Sequence, residues 1–164
     1  MFKRIAKDER GLLMIEAMIA ISVVTVGLVS VLTLLSRSIS INRVVSDQYT
    51  AANLSAEGIE VVKNIIDSNI IQGRPWNEGI SNGSYEVDYS GSVLVANHNR
   101  YLLFDSASGV FGYGAGLPTK YRREIVVANI GADEAQVNSI VNWTTRGGGS
   151  FSLNIEDHFF NWRP

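Results

Sequence analysis

Cysteine is absent from the 164 residues, which excludes disulfide bonds, thiol catalysis and cysteine metal sites. This absence does not identify the compartment, because an exported protein can also lack cysteine. A basic excess is missing too: 14 Lys and Arg stand against 16 Asp and Glu, for a formal net charge of −2. Nucleic-acid-binding domains usually carry a clear basic excess, so the composition gives no sign of direct nucleic-acid binding.

Residues that could carry chemistry are few. The two histidines, His98 and His158, lie far apart without a metal-ligand companion, and we expect both on the surface or at an edge. No Gly-rich phosphate loop precedes a predicted helix, and no pair of catalytic carboxylates stands out. Asp133 and Glu134 in "GADEAQ" indicate a turn, with a cation site as the weaker alternative. The sequence therefore predicts no enzyme, no cofactor and no metal site. The sequence contains three N-x-S/T sequons, which start at Asn53, Asn82 and Asn142. We assign no glycosylation to them, because such matches frequently occur by chance.

The front of the chain is a membrane signal. A basic leader precedes an apolar run from Leu12 to Leu35, in which every residue is apolar or small except Glu16. At 1.5 Å per residue this run makes about 36 Å of helix, and a bilayer core needs about 20 residues. The positive-inside rule keeps the leader in the cytoplasm and sends the rest of the chain outside. The basic leader residues are Lys3, Arg4, Lys7 and Arg10, against the acids Asp8 and Glu9.

Two other interpretations of this run are less favoured. A cleaved secretory signal peptide has an apolar region of about 7–15 residues followed by an Ala-x-Ala-like site. Here the run is longer, and "LSRSISINR" follows it. A buried core helix is the second alternative, but a run of this length with basic residues on one side argues against it.

The helix is predicted to continue as an amphipathic segment over residues 36–70. Between Ser36 and Ile70 there is no proline and only one glycine, Gly58. Apolar residues recur at steps of three and four, which indicates one buried stripe, whereas most charged residues fall off it. The chain is thus expected to begin with one helix of roughly 50 to 60 residues. The predicted stripe is Val45, Tyr49, Ala52, Ala56, Ile59, Val62, Ile66 and Ile70.

The remainder, residues 71–164, is predicted to be a small β-rich head. Ile71 to Ser84 and the Gly-rich segment Phe104 to Lys120 are expected to be loops. "RGGG" (Arg146 to Gly149) indicates a hairpin turn, and the aromatics of the terminal "FFNWRP" are expected to dock on the sheet. Short strands with short links favour an antiparallel meander packed on the helix stripe, an α+β fold. The predicted strands are Tyr85–Tyr89, Arg100–Phe104, Tyr121–Asn129, Gln136–Thr145 and Ser150–Ile155.

Gly11, Leu12 and Glu16 form a recognisable group. A short basic leader ends in Gly11, apolar Leu12 follows, and an acid lies five residues after the glycine at the start of a membrane-length helix. This arrangement resembles the class III leader of type IV prepilins and of type II secretion pseudopilins. The resemblance is strong over residues 3–35. It is looser in "AANLSAEGIEVVKNIIDSN", "YRREIVV" and the terminal "NWR".

The resemblance implies a type IV pilin-like fold and a processing pathway. A prepilin peptidase, an intramembrane aspartyl protease, would cut between Gly11 and Leu12 and commonly methylates the new amino terminus. Removing leader 1–11 takes four basic and two acidic residues away, which leaves 10 against 14 and a net of −4. Residues 12–35 would span the cytoplasmic membrane and later form the filament core. An inner-membrane platform protein and its cytoplasmic ATPase would extract subunits into a surface filament with other pilin subunits.

The resemblance also implies a partner for Glu16. The new amine at Leu12 lies about one helical turn away, and in the family this acid pairs with the amine of a neighbouring subunit. The alternative is that Glu16 snorkels to the headgroups from the helix end. The chain departs from the commonest pattern because Leu12 stands where Phe is frequent. No proline precedes Pro75, which leaves Gly27 as the flexible point inside the span.

Three functions stay open at the level of sequence. The first is a structural subunit of a type IV pilus, either a pilin or a minor pilin. The second is a pseudopilin of a type II secretion system, which shares processing and fold. The third is a membrane-anchored extracellular binding domain that does not assemble.

Overall fold

The computed structural model describes residues 9–145 and 148–162, without the side chains of residues 9 and 10. This part of the chain forms one helix and eight strands. The chain divides into two compact units, with the boundary between Val45 and Ser46. Helix α1 spans Glu9–Ile71. The strands are β1 Gly83–Glu86, β2 Val95–Ala96, β3 Leu103–Asp105, β4 Val110–Gly112, β5 Leu117–Pro118, β6 Tyr121–Ile130, β7 Glu134–Thr144 and β8 Ser150–Phe160.

The first unit is the amino-terminal part of α1. The helix has 63 residues, somewhat more than predicted, because it already begins at Glu9 within the basic leader. By length and composition it contains one stretch that is long and apolar enough to cross a membrane. This confirms the predicted long apolar helix.

The second unit is the head, in which the rest of α1 packs on an antiparallel sheet. The sheet has the strand order β2-β1-β6-β7-β8, with a long β6-β7-β8 meander that confirms the predicted topology and the α+β class. The Thr145 N–H donates to the Gly149 carbonyl at 2.9 Å, so the end of β7 and the start of β8 are held together where a hairpin was expected. Arg146 and Gly147 of the predicted turn lie outside the described residues.

Several strand limits differ from the predictions. β1 ends before Asp88, because the Asp88 backbone carbonyl and side chain accept the Gly91 and Tyr89 N–H groups and turn the chain. The Arg100 N–H donates to the Glu86 carboxylate rather than to a strand, so β3 begins only at Leu103. β8 continues past Ile155 because β7 already begins at Glu134 and offers it partners as far as Phe160.

The segment Phe104–Lys120, predicted to be a loop, contains strands β4 and β5. They form a small sheet with the order β4-β3-β5. Asp105 makes this possible because its carboxylate accepts the Ala107 N–H at 2.9 Å and the Ser108 hydroxyl at 2.6 Å. Gly109 then takes a φ of +73°, which a glycine adopts without strain, and the chain reverses into β4.

The buried face of α1 includes Ile59, Val62 and Ile66 as predicted, but it departs from the predicted stripe nearer the amino-terminal end. Val45 and Tyr49 are 56% and 71% exposed, and Ala56 is exposed as well. Gly58 explains the difference, because a Cβ there would overlap Ser139 Oγ and lie 2.8 Å from Ile125 Cδ1. The sheet therefore lies close to the helix at Gly58, which has no side chain. The face is therefore centred on Ala51, Leu54, Ser55, Gly58, Ile59, Val61, Val62, Ile65, Ile66 and Asn69.

The core of the head consists of two apolar clusters with a polar layer between them. One cluster lies around Ile59, Ile66 and Val127, and the other around Leu54 and Trp143. Strands β6 and β7 each place one polar residue between these clusters on their inner face. We call Ser55, Glu57, Arg123 and Ser139 the polar layer.

The carboxyl-terminal aromatics follow the alternation of β8. Phe159 packs against the core together with Ile155, as expected. Phe160 and Trp162 are 57% and 69% exposed, so the prediction that all these aromatics dock on the sheet was wrong. Phe160 lies on the opposite face of β8, where its ring stacks on His158 with centroids 6.4 Å apart. Arg163 and Pro164 lie outside the described residues.

Candidate assembly helix

The residues of the leader motif lie at the amino-terminal end of α1. Gly11, Leu12 and Glu16 are all helical and all exposed, and Leu12 is 68% exposed. The rise from Leu12 to Glu16 is about 6 Å, so the two residues lie one above the other on the same helix face. Lys3, Arg4 and Lys7 fall outside the described residues, and Arg10 is described by its backbone alone.

The apolar surface of this part of α1 has no covering partner in the described chain. Every residue from 11 to 43 is exposed, and the large apolar side chains from Leu12 to Ile41 are 54–73% exposed. Soluble monomers rarely expose contiguous apolar surface on this scale, so it indicates a membrane or protein contact.

The hydroxyls within the apolar run are satisfied by the helix itself. Ser22, Thr25, Ser30 and Thr33 each donate to the backbone carbonyl four residues earlier, at 2.5–2.8 Å. Such bonds let a helix carry hydroxyls without exposing an unpaired donor to lipid. The helix surface is thus compatible with a wholly apolar environment, apart from Glu16.

Glu16 has no hydrogen-bond or ion-pair partner within the described part of the chain. It is the one ionisable residue between Leu12 and Leu35. A carboxylate is costly in an apolar environment unless a cation or hydrogen-bond donors meet it. In an apolar environment Glu16 therefore needs a cation or donor beyond the described part of the chain.

Arg123 fixes α1 on the sheet. Its side chain is fully buried and donates to Leu54 O at 3.0 Å, Glu57 Oε1 at 2.8 Å and Val87 O at 2.7 Å. The guanidinium thus joins the helix, β6 and the end of β1. The sequence carried a signal that was missed: alternation in "YRREIVV" puts Arg123 on the same face as Tyr121 and Ile125, which are buried.

A second contact fixes the beginning of the head helix. Lys120 Nζ lies 2.5 Å from Asp47 Oδ2, and the Tyr121 hydroxyl lies 3.4 Å from Asp47 Oδ1. Burial raises the pKa of the Tyr121 phenol, so it stays protonated and can donate. Asp47 is the first helix residue of this unit with a partner on the sheet side among the contacts described.

Glu86 is a buried carboxylate of the head that accepts hydrogen bonds from His98 and Arg100. Burial by itself raises its pKa, but hydrogen bonds from the Arg100 N–H and guanidinium and from the His98 N–H outweigh this and lower it. The Arg100 Nε–Glu86 Oε2 distance is 2.7 Å. The charged carboxylate therefore fastens segment 98–100 to β1.

The remaining candidate residues show no metal centre. Among the described residues no group of three or more His, Cys, Asp or Glu could hold a metal ion. Asp133 lies in the turn that was predicted, and Glu134 begins β7 with Oε1 2.6 Å from His158 Nδ1. His98 and His158 are both exposed, as expected.

A scan against protein-family models finds no match, and searches of curated proteins and of solved structures find no similar chain. The likeness to type IV pilins therefore stays a prediction that depends on the leader motif and the long helix.

Proposed function

We propose that this chain is a structural subunit of a type IV pilus, a pilin or minor pilin, with no enzymatic activity of its own. It is made as a membrane-anchored precursor with its leader in the cytoplasm. Prepilin peptidase cuts it between Gly11 and Leu12, and assembly through α1 carries it to the cell surface. The observation that carries the proposal is an apolar helix, exposed over residues 11–43, whose one acid, Glu16, lies five residues after Gly11 and has no partner among the described residues.

The exposed apolar helix suits two successive environments. As a single span it is long enough for the bilayer, where its self-satisfied hydroxyls cost little. Copies of the same helix can also cover one another in a filament core. Because lipid tails and packed side chains are both apolar, transfer from one to the other need not oppose assembly strongly.

In this proposal Glu16 favours transfer of the helix from the membrane to the filament core and fixes the axial position of neighbouring subunits. Cleavage creates a positive amine at Leu12, and in a bundle of parallel helices the amine of one subunit can meet Glu16 of its neighbour. The pair removes the cost of an isolated charge in an apolar core. Apolar side chains specify the axial position of neighbouring helices weakly, whereas one buried polar contact specifies it well.

A pseudopilin of a type II secretion system is the second candidate, because processing and helix assembly would be the same. Neighbouring genes separate the two: a retraction ATPase favours a pilus, and a secretin with secretion components favours a pseudopilus. A membrane-anchored binding domain without assembly is the third candidate. It predicts no dependence of any filament on Glu16.

Glu16→Ala tests the assembly role in cells that make only this variant. We expect processed subunits that stay in the membrane, with surface filaments reduced at least tenfold by electron microscopy and by shearing. Glu60→Ala is the matched control, since Glu60 is an exposed acid on the same helix. Normal filaments from Glu16→Ala would contradict the pairing role. Equal loss in both variants would show that the defect is not specific to Glu16.

A further inference from the structure

Strand β8 is a free edge of the head sheet. It ends the strand order β2-β1-β6-β7-β8, and no strand of the described chain pairs with its outer side. Its register with β7 runs without a bulge from Ser150 to Phe160, and the strand contains no proline and no lysine. Sheet edges in soluble proteins are usually short, bulged, charged or covered. A regular edge of 11 residues therefore indicates a surface for pairing with another strand.

Hydrogen bonds at the two ends of β8 show which of its backbone groups face outward. The Thr145 N–H donates to the Gly149 carbonyl, and the Asn161 N–H donates to the Asp133 carbonyl. Both pairs continue the register of β7 and β8 by one residue. Because bonded and non-bonded pairs alternate in an antiparallel ladder, the odd-numbered residues of β8 bond to β7. The even-numbered residues therefore direct their N–H and carbonyl groups to the open side.

One end of this edge is protected against pairing, and the other is not. Asp157 is an exposed acid that pairs with buried Val137, so it lies on the inner face of the sheet. Its carboxylate accepts the outward His158 N–H at 2.8 Å. An inward-pointing charge on an edge strand is a device that prevents pairing. Residues 150–155, "SFSLNI", carry no charge, and we call them the open edge.

The inner face of the open edge is apolar. Phe151 is 38% exposed, and its ring stacks on Trp143 with centroids 5.7 Å apart and an interplanar angle of 18°. Leu153 and Ile155 lie on the same face and are half-buried. A strand added at this edge would therefore cover apolar surface as well as backbone groups.

A second copy of this chain fits the open edge. When two β8 strands pair antiparallel about a twofold axis at Leu153, Phe151 of each copy lies opposite Ile155 of the other, and the two Leu153 side chains face each other. These are non-hydrogen-bonded pairs, in which side chains approach most closely. An aromatic residue opposite a β-branched residue stabilises a pair of strands.

Neighbouring registers fit less well. In the register just described, Asp157 lies opposite Gly149, away from any apolar side chain. If the axis moves one residue toward the carboxyl end, Asp157 lies opposite Phe151. If it moves one residue the other way, Ile155 lies opposite Gly149 and loses its apolar partner. The sequence of the edge is thus complementary to itself in one register.

We propose that two copies of this chain pair through the open edge and form one continuous sheet, with the twofold axis at Leu153. A twofold axis perpendicular to the sheet reverses every direction in its plane, including that of the helix packed on it. Subunits of the proposed filament share one direction, so this contact joins heads of two different filaments. The proposal goes beyond filament assembly, since it concerns association between filaments.

Cysteine cross-linking of the full-length chain in neutral detergent micelles tests the proposal. The chain has no cysteine of its own, so each introduced thiol is unique. Across a non-bonded pair the Cα atoms lie about 4.5 Å apart, within the range that a disulfide allows. With Leu153→Cys we expect a disulfide-linked dimer on a non-reducing gel after mild oxidation by copper phenanthroline.

Asp157→Cys is the matched control for this cross-link. Asp157 is exposed and lies on the same face of the same strand as Leu153. In the proposed register the two copies of residue 157 are separated by eight residues of strand, roughly 26 Å, so they cannot form a disulfide. We expect at least tenfold less dimer from this variant than from Leu153→Cys.

Ser152→Pro separates edge pairing from folding. The Ser152 N–H faces outward, so proline at this position removes no hydrogen bond to β7. Added to Leu153→Cys, it should lower the yield of dimer at least tenfold and leave the near-UV circular dichroism unchanged. If either variant does not fold, an equimolar mixture of Phe151→Cys and Ile155→Cys takes its place. The mixture should give a dimer that neither variant gives alone.

Three outcomes would overturn the proposal. No dimer from folded Leu153→Cys would mean that the edge does not take a second copy. As much dimer from Asp157→Cys would contradict the register, and a yield undiminished by Ser152→Pro would contradict strand pairing. For the mixture, no dimer, or as much from either variant alone, would overturn it equally. The thiols report a contact of the head, so failure here does not bear on processing or on assembly through α1.

Discussion

Arg123→Met is expected to destabilise the head strongly. The guanidinium donates to Leu54 O and Val87 O, and the fully buried side chain leaves no room for water to replace it. Leu54 O keeps its helical hydrogen bond because Leu54 lies inside α1, whereas Val87 O loses the partner described for it. An unsatisfied buried carbonyl costs about 1–3 kcal/mol. Met fills a similar volume and recovers part of this loss by burying apolar surface. We therefore expect about 2 kcal/mol of destabilisation, most of it from the Val87 carbonyl.

The salt bridge to Glu57 contributes less, which gives the prediction an internal comparison. The Glu57 side chain is 35% exposed, so solvent screens its charge. Glu57→Gln should cost no more than about 1 kcal/mol, since an amide oxygen can still accept from Arg123. A larger loss in Glu57→Gln than in Arg123→Met would contradict the assignment of stability to the carbonyl bonds.

Thermal unfolding of the full-length chain in neutral detergent measures both variants. Tryptophan fluorescence is a suitable signal, because Trp76 and Trp143 are buried in the head. For a domain of this size about 2 kcal/mol corresponds to a fall in Tm of roughly 8 °C. Replacing a buried ion pair by apolar residues is stabilising in some proteins. An unchanged or raised Tm in Arg123→Met would therefore refute the reasoning.

Gly58→Ala tests the buried face of α1, and His158→Gln tests the surface cluster that His158 forms with Glu134 and Glu156. Gly58→Ala should destabilise the head by about 1 kcal/mol, because overpacking costs about 1–3 kcal/mol and alanine returns up to about 1 through helix propensity. In Gly27→Ala, the control, the added methyl has no atom within 4 Å, so the unfolding of the head should stay unchanged. His158 has its pKa raised by hydrogen bonds to Glu134 and Glu156. Its small stabilising effect is present below its ordinary pKa of about 6.5 and is lost as the pH rises through the raised value. His158→Gln should remove that part of the pH dependence of Tm, and an identical profile would count against the pairing.

The long helix and the meander followed from the sequence because their signals are local and repetitive. A run of 24 residues that are all apolar or small except Glu16 allows few structures, and alternation over β6 and β7 fixes which side chains face inward. The spacing between Gly11 and Glu16 can likewise be recognised in the sequence before any fold is known. The part of the site that lies on α1 could therefore be named residue by residue.

The buried face of α1 was predicted only in part, at Ile59, Val62 and Ile66. Counting apolar residues favoured Val45 and Tyr49, whereas the sheet approaches at Gly58 and Ser55, where side chains are small. Small and polar residues give no hydrophobic signal, although they decide how closely two elements can pack. The Arg123 contacts were missed for a related reason, because their acceptors are backbone carbonyls that any sequence provides.

Strand β4 was missed because the signal for it is a side-chain contact within its own turn. β4 exists because Asp105 caps its own turn, and a Gly-rich composition conceals this.

The mature amino terminus is the most direct test of the central claim that this chain is a processed filament subunit. Intact-mass and terminal-peptide mass spectrometry of protein from the native membrane should find a chain that begins at Leu12. A methyl group on that amine would be consistent with the same peptidase. Gly11→Val should keep the leader and Met1, since a bulky residue at this position would block the cut. A wild-type chain that retains Met1, or begins at a residue other than Leu12, would contradict the account.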